Sequence, residues 1–219
     1  MGAKTALLAF VTGDVRSALS TMADSDPGAA ASLVRRAFPG RTVTADGGTS
    51  LWDAVFPEPY VAYAASHGGV DLLADRRLMF GRPSDLPEHL HAIAAGRRIV
   101  LHGMHSVSDW LSFAVWEDRR LIRSLSLSPG AGIVENIGEP LDFEAPFWAG
   151  EHPVDDDDDD YDDEEDDFDD EPYPFPFHPL ELGEEALRSL FGFVREGYPD
   201  PADLDAGAVM MHGFRVLGS

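Results

Sequence analysis

The chain has 219 residues, is 44% hydrophobic and carries a formal charge of −24, enough for one ordinary core. The excess of acid argues against a nucleic-acid binder, which needs a basic face to meet phosphates. The absence of cysteine excludes a disulfide framework, a thiolate nucleophile and a cysteine-based zinc or iron–sulfur site, and fits a reducing cytoplasm.

The opening MGAKTALLAFVTGD has an apolar run only from Ala6 to Val11, short for a signal-peptide core and far too short to span a bilayer. Ala6 also stands where a myristoylation signal needs Ser or Thr. A soluble cytoplasmic protein with no membrane association is predicted. Thr5 to Val11 is continuously apolar, as in a strand buried on both faces. Asp14 is a candidate N-cap, and Val15, Ala18, Leu19 and Met22 follow with helical spacing. Asp26-Pro27 is a second helix start. Ala30, Leu33, Val34, Ala37 and Phe38 continue that helix, and Gly40 ends it.

Two short strands are predicted near Tyr60 to Ser66 and Val70 to Ala74, with Gly68-Gly69 as the hairpin turn. Asp85 with Glu88 resembles a capping box, before a short helix with Leu86, Leu90 and Ile93 that stops at Gly96. RRIVLHGMHS, DWLSFAVWED, RLIRSLSLSP and GIVENIG read as sequential strands whose short links imply antiparallel pairing. A last helix, from Glu184 to Arg195, carries Leu187, Leu190, Phe191 and Val194, with Gly197 as its stop. The fold class is therefore α+β: a central, mostly antiparallel sheet with helices packed on it. Residues 1–219 form a single domain, interrupted by an acidic loop at about 153–171.

That loop, VDDDDDDYDDEEDDFDDE, contains 15 of the 40 acidic residues between Asp155 and Glu171, leaving 25 acids against 16 bases elsewhere. It repels itself and has little apolar surface to bury, so it is predicted to be disordered and to add nothing to the core. It has no glycine and no ligand spacing of a calcium loop. The PYPFPFHPLEL that follows alternates Tyr173, Phe175 and Phe177 with prolines. An extended chain places the three rings on one face, as a surface strap anchoring the last helix.

HGMHSVSDW, residues 102 to 110, has the residue types of a metal site or hydrolase triad. On a strand, His102 and His105 point to opposite faces, so no metal site is predicted there. His105 and Asp109 remain catalytic candidates. Glu135, Glu139, Glu144 and Glu151 with His152 follow the central strands and could act as acid and base or hold a divalent ion. GxSxG, HExxH and phosphate-loop motifs are absent.

The hairpin DWLSFAVWEDRRLIRSLSLSP offers a further candidate. A three-residue loop, Asp118 to Arg120, would pair Phe113 with Leu125 and Leu111 with Leu127. It would also set Ser112 against Ser126 and Ala114 against Ser124. One face is then apolar. The other holds Ser112, Ser124 and Ser126 between Trp110 and Trp116, either a close-packing surface for a helix or a shallow ligand groove with tryptophan walls.

The wording MGAKTALLAF, DRRLM, RPSDLP, HSVSDWLSFAVWED, RSLSLSP, ENIGEPLDFEAPFWAGEHPV, PFHPLELGEEALRSLFGF and HGFRV resembles a family of uncharacterised actinobacterial proteins, a domain of unknown function. The resemblance spans nearly the whole chain outside the acid run and implies no activity, cofactor or catalytic residue. The expectation is a cytosolic binding domain without catalysis or cofactor, for an unknown protein partner or small molecule and not for nucleic acid. The alternative is a divalent-metal-assisted hydrolase using the carboxylates and histidines after the central strands.

Overall fold

The structure is a computed structural model that describes residues 2–21, 25–154 and 173–218. Nine strands form one antiparallel sheet: β1 (Lys4–Val11), β2 (Thr42–Ser50), β3 (Val61–His67), β4 (Val70–Ala74), β5 (Arg98–His105), β6 (Trp110–Glu117), β7 (Arg120–Ser128), β8 (Gly132–Ile137) and β9 (Met210–Leu217). Their spatial order is β2-β9-β3-β4-β1-β5-β6-β7-β8. The helices are α1 (Val15–Ser20), α2 (Pro27–Ala37), α3 (Leu51–Ala54), α4 (Glu88–Ala94), α5 (Ala145–Trp148) and α6 (Pro179–Phe191). The fold is α+β, and no helix among the described residues is long and apolar enough to cross a membrane. The acid run and Met22 lie outside the described residues.

The apolar run of β1 follows from its central position. Leu7, Ala9 and Val11 face one core layer with α1 and α6, while Ala6, Leu8 and Phe10 face a second with α2 and α4. A strand covered on both sides has no polar face to alternate with. Asp14 caps α1 by accepting from the Ser17 N–H, and Asp26 caps α2 by accepting from the Gly28 and Ala29 N–H groups. Gly68 and Gly69, at φ 53° and 98°, form the two-residue turn between β3 and β4, a geometry that favours glycine.

Several boundaries differ from expectation. Asp85 belongs to a 3-10 turn at Pro83–Asp85, and α4 begins after Pro87 with no side-chain cap, so no capping box forms. α6 starts five residues before Glu184, because His178 accepts the Leu180 N–H and Pro179 takes the first helical position. It ends at Gly192, φ 92°, not at Gly197.

The β6–β7 register matches the expected pairing at Leu111–Leu127, Ser112–Ser126, Phe113–Leu125 and Ala114–Ser124. The connection is a different one. Asp118 and Arg119 form a two-residue turn, both at positive φ (48° and 65°), and the register shifts between Val115 and Trp116. One extra residue in the strand produces the same parity as a three-residue loop, and it spares Arg120 the left-handed backbone.

α6 is seated closely on β5 and β6. A Cβ added at Gly183 would lie 2.7 Å from the Met104 sulfur and 3.2 Å from a Leu111 methyl. Gly183→Ala is expected to destabilise the protein, since overpacking costs about 1–3 kcal/mol against the roughly 1 kcal/mol of helix propensity alanine recovers. Urea unfolding reads the difference, and an unchanged or raised midpoint would mean that the helix has room to move.

Candidate functional site

A cleft of about 640 Å³ runs along α6. Glu181, Glu184, Glu185 and Arg188 come from one face of the helix, three and four residues apart. Glu196 and Tyr198 come from the chain that follows, Phe147 from α5 and His152 from the bend after it. Ala3, Leu180 and Val194 add apolar wall. Acid outweighs base, and the carboxylates differ in what they already hold.

Glu184 accepts the Arg195 and Glu196 N–H groups at 2.6 and 2.9 Å, which turns the chain after α6 back over the cleft. Burial pushes its carboxyl above the ordinary value, and the Glu196 charge adds to this, against those two N–H bonds and Arg188. Glu185 is occupied by the Ser189 hydroxyl and by Arg188. Arg188 in turn reaches Asp203 at 3.3 Å and donates to the Tyr198 carbonyl at 2.8 Å. The Glu181 carboxylate has no hydrogen bond or ion pair among the described residues, so it is free to take a ligand.

His178 stands at the entrance. Its Nδ1 accepts the Leu180 N–H, and its Nε2 lies 3.7 Å from Asp109. The Tyr173 ring stacks on it at 6.0 Å. The phenol is pushed up to about 12 by burial, then by the Asp109 and Glu181 charges. Phe175 and Phe177 anchor the strap in the core beside Phe147 and Trp148.

Of the sequence candidates, His152 lines this cleft and Asp109 stands beside His178 at its entrance, while the others are dispersed. His102 and His105 face opposite sides of β5, which pairs without a bulge along β1. His102 is fully buried, with Nδ1 2.8 Å from the Thr5 hydroxyl and Nε2 2.9 Å from the Gly183 carbonyl. His105 meets Phe56 edge-on at 5.8 Å. Glu144 is fully buried and holds Arg123 through two contacts of 2.8 and 2.6 Å, while it also accepts the Leu141 N–H and the Trp148 indole. Glu151 and His152 are exposed, and the His152 ring stacks on Phe147 at 4.2 Å. Among the described residues no three His, Asp or Glu side chains are grouped to hold a metal ion.

The serine face is covered by the chain itself. Ser112, Ser124 and Ser126 are fully buried, Trp116 is 3% exposed and Trp110 is half-buried. A Cβ at Gly103 would meet the Trp110 ring at 3.0 Å and the Ser112 hydroxyl at 3.2 Å, so the ring packs over Gly103 beside Ser112. Glu135 accepts from the Ser124 hydroxyl and from the Ser84 hydroxyl and N–H, fastening the 3-10 turn over the face. Burial pushes the Glu135 carboxyl up, but these bonds and Arg82 outweigh it and hold it below the ordinary value.

A protein-family model, a Family of unknown function (DUF6928), matches residues 5–214. The chain belongs to this family. No curated protein and no solved structure matches it.

Membership brings no activity with it, so the cleft is read from its own chemistry. In the sequence, Glu184 and Glu185 read as helix-start residues, and Glu181, Arg188 and Glu196 carry no assignment. A signal is present in the spacing Glu181, Glu184, Glu185, Arg188, which places four charges on one helix face. Such a stripe is ordinarily a solvated surface. What makes it a cleft is the return of residues 194–198 across it, a contact between residues whose pairing no local pattern encodes.

Proposed function

We propose that the protein is a cytoplasmic binding domain without catalysis, and that the cleft along α6 takes a small organic cation. The observation that carries this reading is the free Glu181 carboxylate in a cleft with three further glutamates and one arginine, bounded by Phe147, Leu180 and Val194. Carboxylates grouped in a cleft favour a partner that brings a positive charge, and the apolar walls favour one that also has a hydrocarbon body. His105, Glu144 and Glu151 lie outside the cleft, which supports a role without catalysis. A general acid or base must reach the atom it serves within hydrogen-bond distance, and Glu144 is already committed to Arg123.

Thermal shift with putrescine, agmatine, divalent metals and nucleotides tests this. A ligand that binds only the folded state raises the melting temperature, by the equivalent of about 2.7 kcal/mol at a hundred times its Kd. Agmatine or putrescine should stabilise the protein, less so in high salt. Glu181→Gln should remove the effect while leaving the unliganded stability within about 0.5 kcal/mol of wild type, as for a surface change. A shift by a divalent metal alone, insensitive to Glu181→Gln, would instead favour the hydrolase reading. No shift by either amine would refute the cation cleft.

A further inference from the structure

Where β3 begins and β9 ends, base outweighs acid, with three arginines against two carboxylates. Residues 58–61 make a tight turn closed by the Val61 N–H on the Glu58 carbonyl at 3.1 Å. Pro59 suits the second position of such a turn, but the third holds Tyr60 at φ 67°, where glycine or asparagine is usual. The ring gains no burial from this arrangement, since Tyr60 is 70% exposed. A bulky residue held in a disfavoured conformation and presented to water is the kind of local conflict that marks a functional position.

Beside Tyr60 lies a cavity of about 280 Å³ lined by Arg41, Arg76 and Arg77 and by the carboxylates Glu58 and Asp75, with Val61 and Val216 as apolar wall. The three guanidiniums differ in commitment. Arg77 is held by Asp75 at 2.8 and 2.6 Å and lies 3.8 Å from the Phe38 ring centre. Arg76 donates to the Pro57 carbonyl and lies 4.5 Å from the Phe56 ring centre. Its one carboxylate partner among the described residues, Glu58, is 3.4 Å away and 82% exposed. Arg41 has no carboxylate partner among the described residues. Lys4, the chain's single lysine, sits 5.9 Å from the same Phe56 ring centre. Three of the 16 basic residues thus line one cavity in a chain of charge −24. His105 lies near Lys4 and Arg76: burial first, then Lys4 and also Arg76, hold its imidazole below the ordinary value, against a backbone hydrogen bond.

We propose that this cavity binds a small aromatic anion, a phosphate or carboxylate carried on a flat ring, with Arg41 and Arg76 on the anion and Tyr60 stacked on the ring. Guanidinium groups match both anions in two-point geometry, and an exposed tyrosine supplies a flat face at low entropic cost. This site is independent of the acidic cleft along α6, and either can stand without the other.

The test uses the full chain with phenyl phosphate, benzoate, inorganic phosphate and phenol as probes, read by calorimetry and amide chemical shifts. Phenyl phosphate should bind saturably at millimolar concentration and more tightly than inorganic phosphate, and phenol should not bind. Arg41→Gln should weaken phenyl phosphate roughly tenfold, the scale of one charge-assisted hydrogen bond. Tyr60→Gly should melt at a higher temperature than wild type, since glycine accepts the turn without strain. It should also bring phenyl phosphate down to the affinity of inorganic phosphate. Because that variant is expected to gain stability, its loss of binding cannot be ascribed to unfolding. The proposal is overturned if neither phenyl phosphate nor benzoate binds, or if both variants bind phenyl phosphate as tightly as wild type.

Discussion

Glu144→Ala is expected to remove about 3–5 kcal/mol of stability, the cost of leaving a buried charge without its partner. Arg123 and Glu144 have fully buried side chains and meet through two contacts. The remaining guanidinium donors reach the Asn136 side chain at 2.6 Å and the Ile137 and Gly138 carbonyls at 3.2 Å. The Leu141 N–H and the Trp148 indole lose their acceptor along with the arginine. Arg123→Met should be similarly damaging, because it strands the carboxylate. The double variant Arg123→Met/Glu144→Leu should unfold at higher urea than either single variant, since replacing both charges by apolar groups of similar volume is often close to neutral. A double-mutant cycle by urea unfolding measures the coupling. Single variants that each lose less than about 1 kcal/mol, the usual scale for surface changes, would contradict a pair that pins residues 136–148 to β7.

His102 should make the protein acid-sensitive. Burial lowers its pKa to about 4, against the Gly183 carbonyl bond that raises it. One ring nitrogen donates to that carbonyl, and the other faces the Thr5 hydroxyl, so the neutral imidazole satisfies both contacts. The unfolded chain binds the proton near pH 6.5, before the folded one does. The stabilisation is therefore complete above about pH 6.5 and is lost as pH falls toward 4. Between pH 7.5 and 5 the loss attributable to His102 is about 2 kcal/mol, because each pH unit over which only the unfolded chain holds the proton costs about 1.36 kcal/mol. His102→Gln should flatten that part of the urea-unfolding profile. NMR titration of the ring reads the same quantity directly, and a His102 that titrates near 6.5 in the folded protein would remove the basis of this expectation.

Much of the sheet was legible from the chain alone, because parity and turn chemistry act locally. The unbroken apolar run of β1 required cover on both faces. Gly68-Gly69 specified a two-residue hairpin, and alternation separated the leucines of β7 from its serines. The same parity set His102 and His105 on opposite sides of β5. Asp14 and Asp26-Pro27 marked helix starts because a cap bonds groups two or three residues away. The strands β2 and β9 leave no such signature, for a related reason. β2 is an edge strand, largely exposed, so TVTADGGTS has no buried face to impose alternation, and its register shift falls between Ala45 and Gly48. β9 lies between β2 and β3 although it is the last strand in the chain, and nothing in MMHGFRVL names those neighbours.

The candidate sites divide in the same way. The sequence by itself determined which residues share a face of one strand, the three serines between two tryptophans, whereas the glutamate face of α6 needed the earlier helix start at Pro179 to include Glu181. Only the tertiary structure decided what covers each face. The Pro83–Asp85 turn closes the serines through Glu135, while residues 194–198 wall the glutamates into a cleft. Glu144 passed from a loose carboxylate after the strands to the buried partner of Arg123, 21 residues away. Faces follow from the period of the backbone, which each segment carries in its own residues. Partners follow from which faces meet once the whole chain has condensed, a choice made by the packing of all of them together.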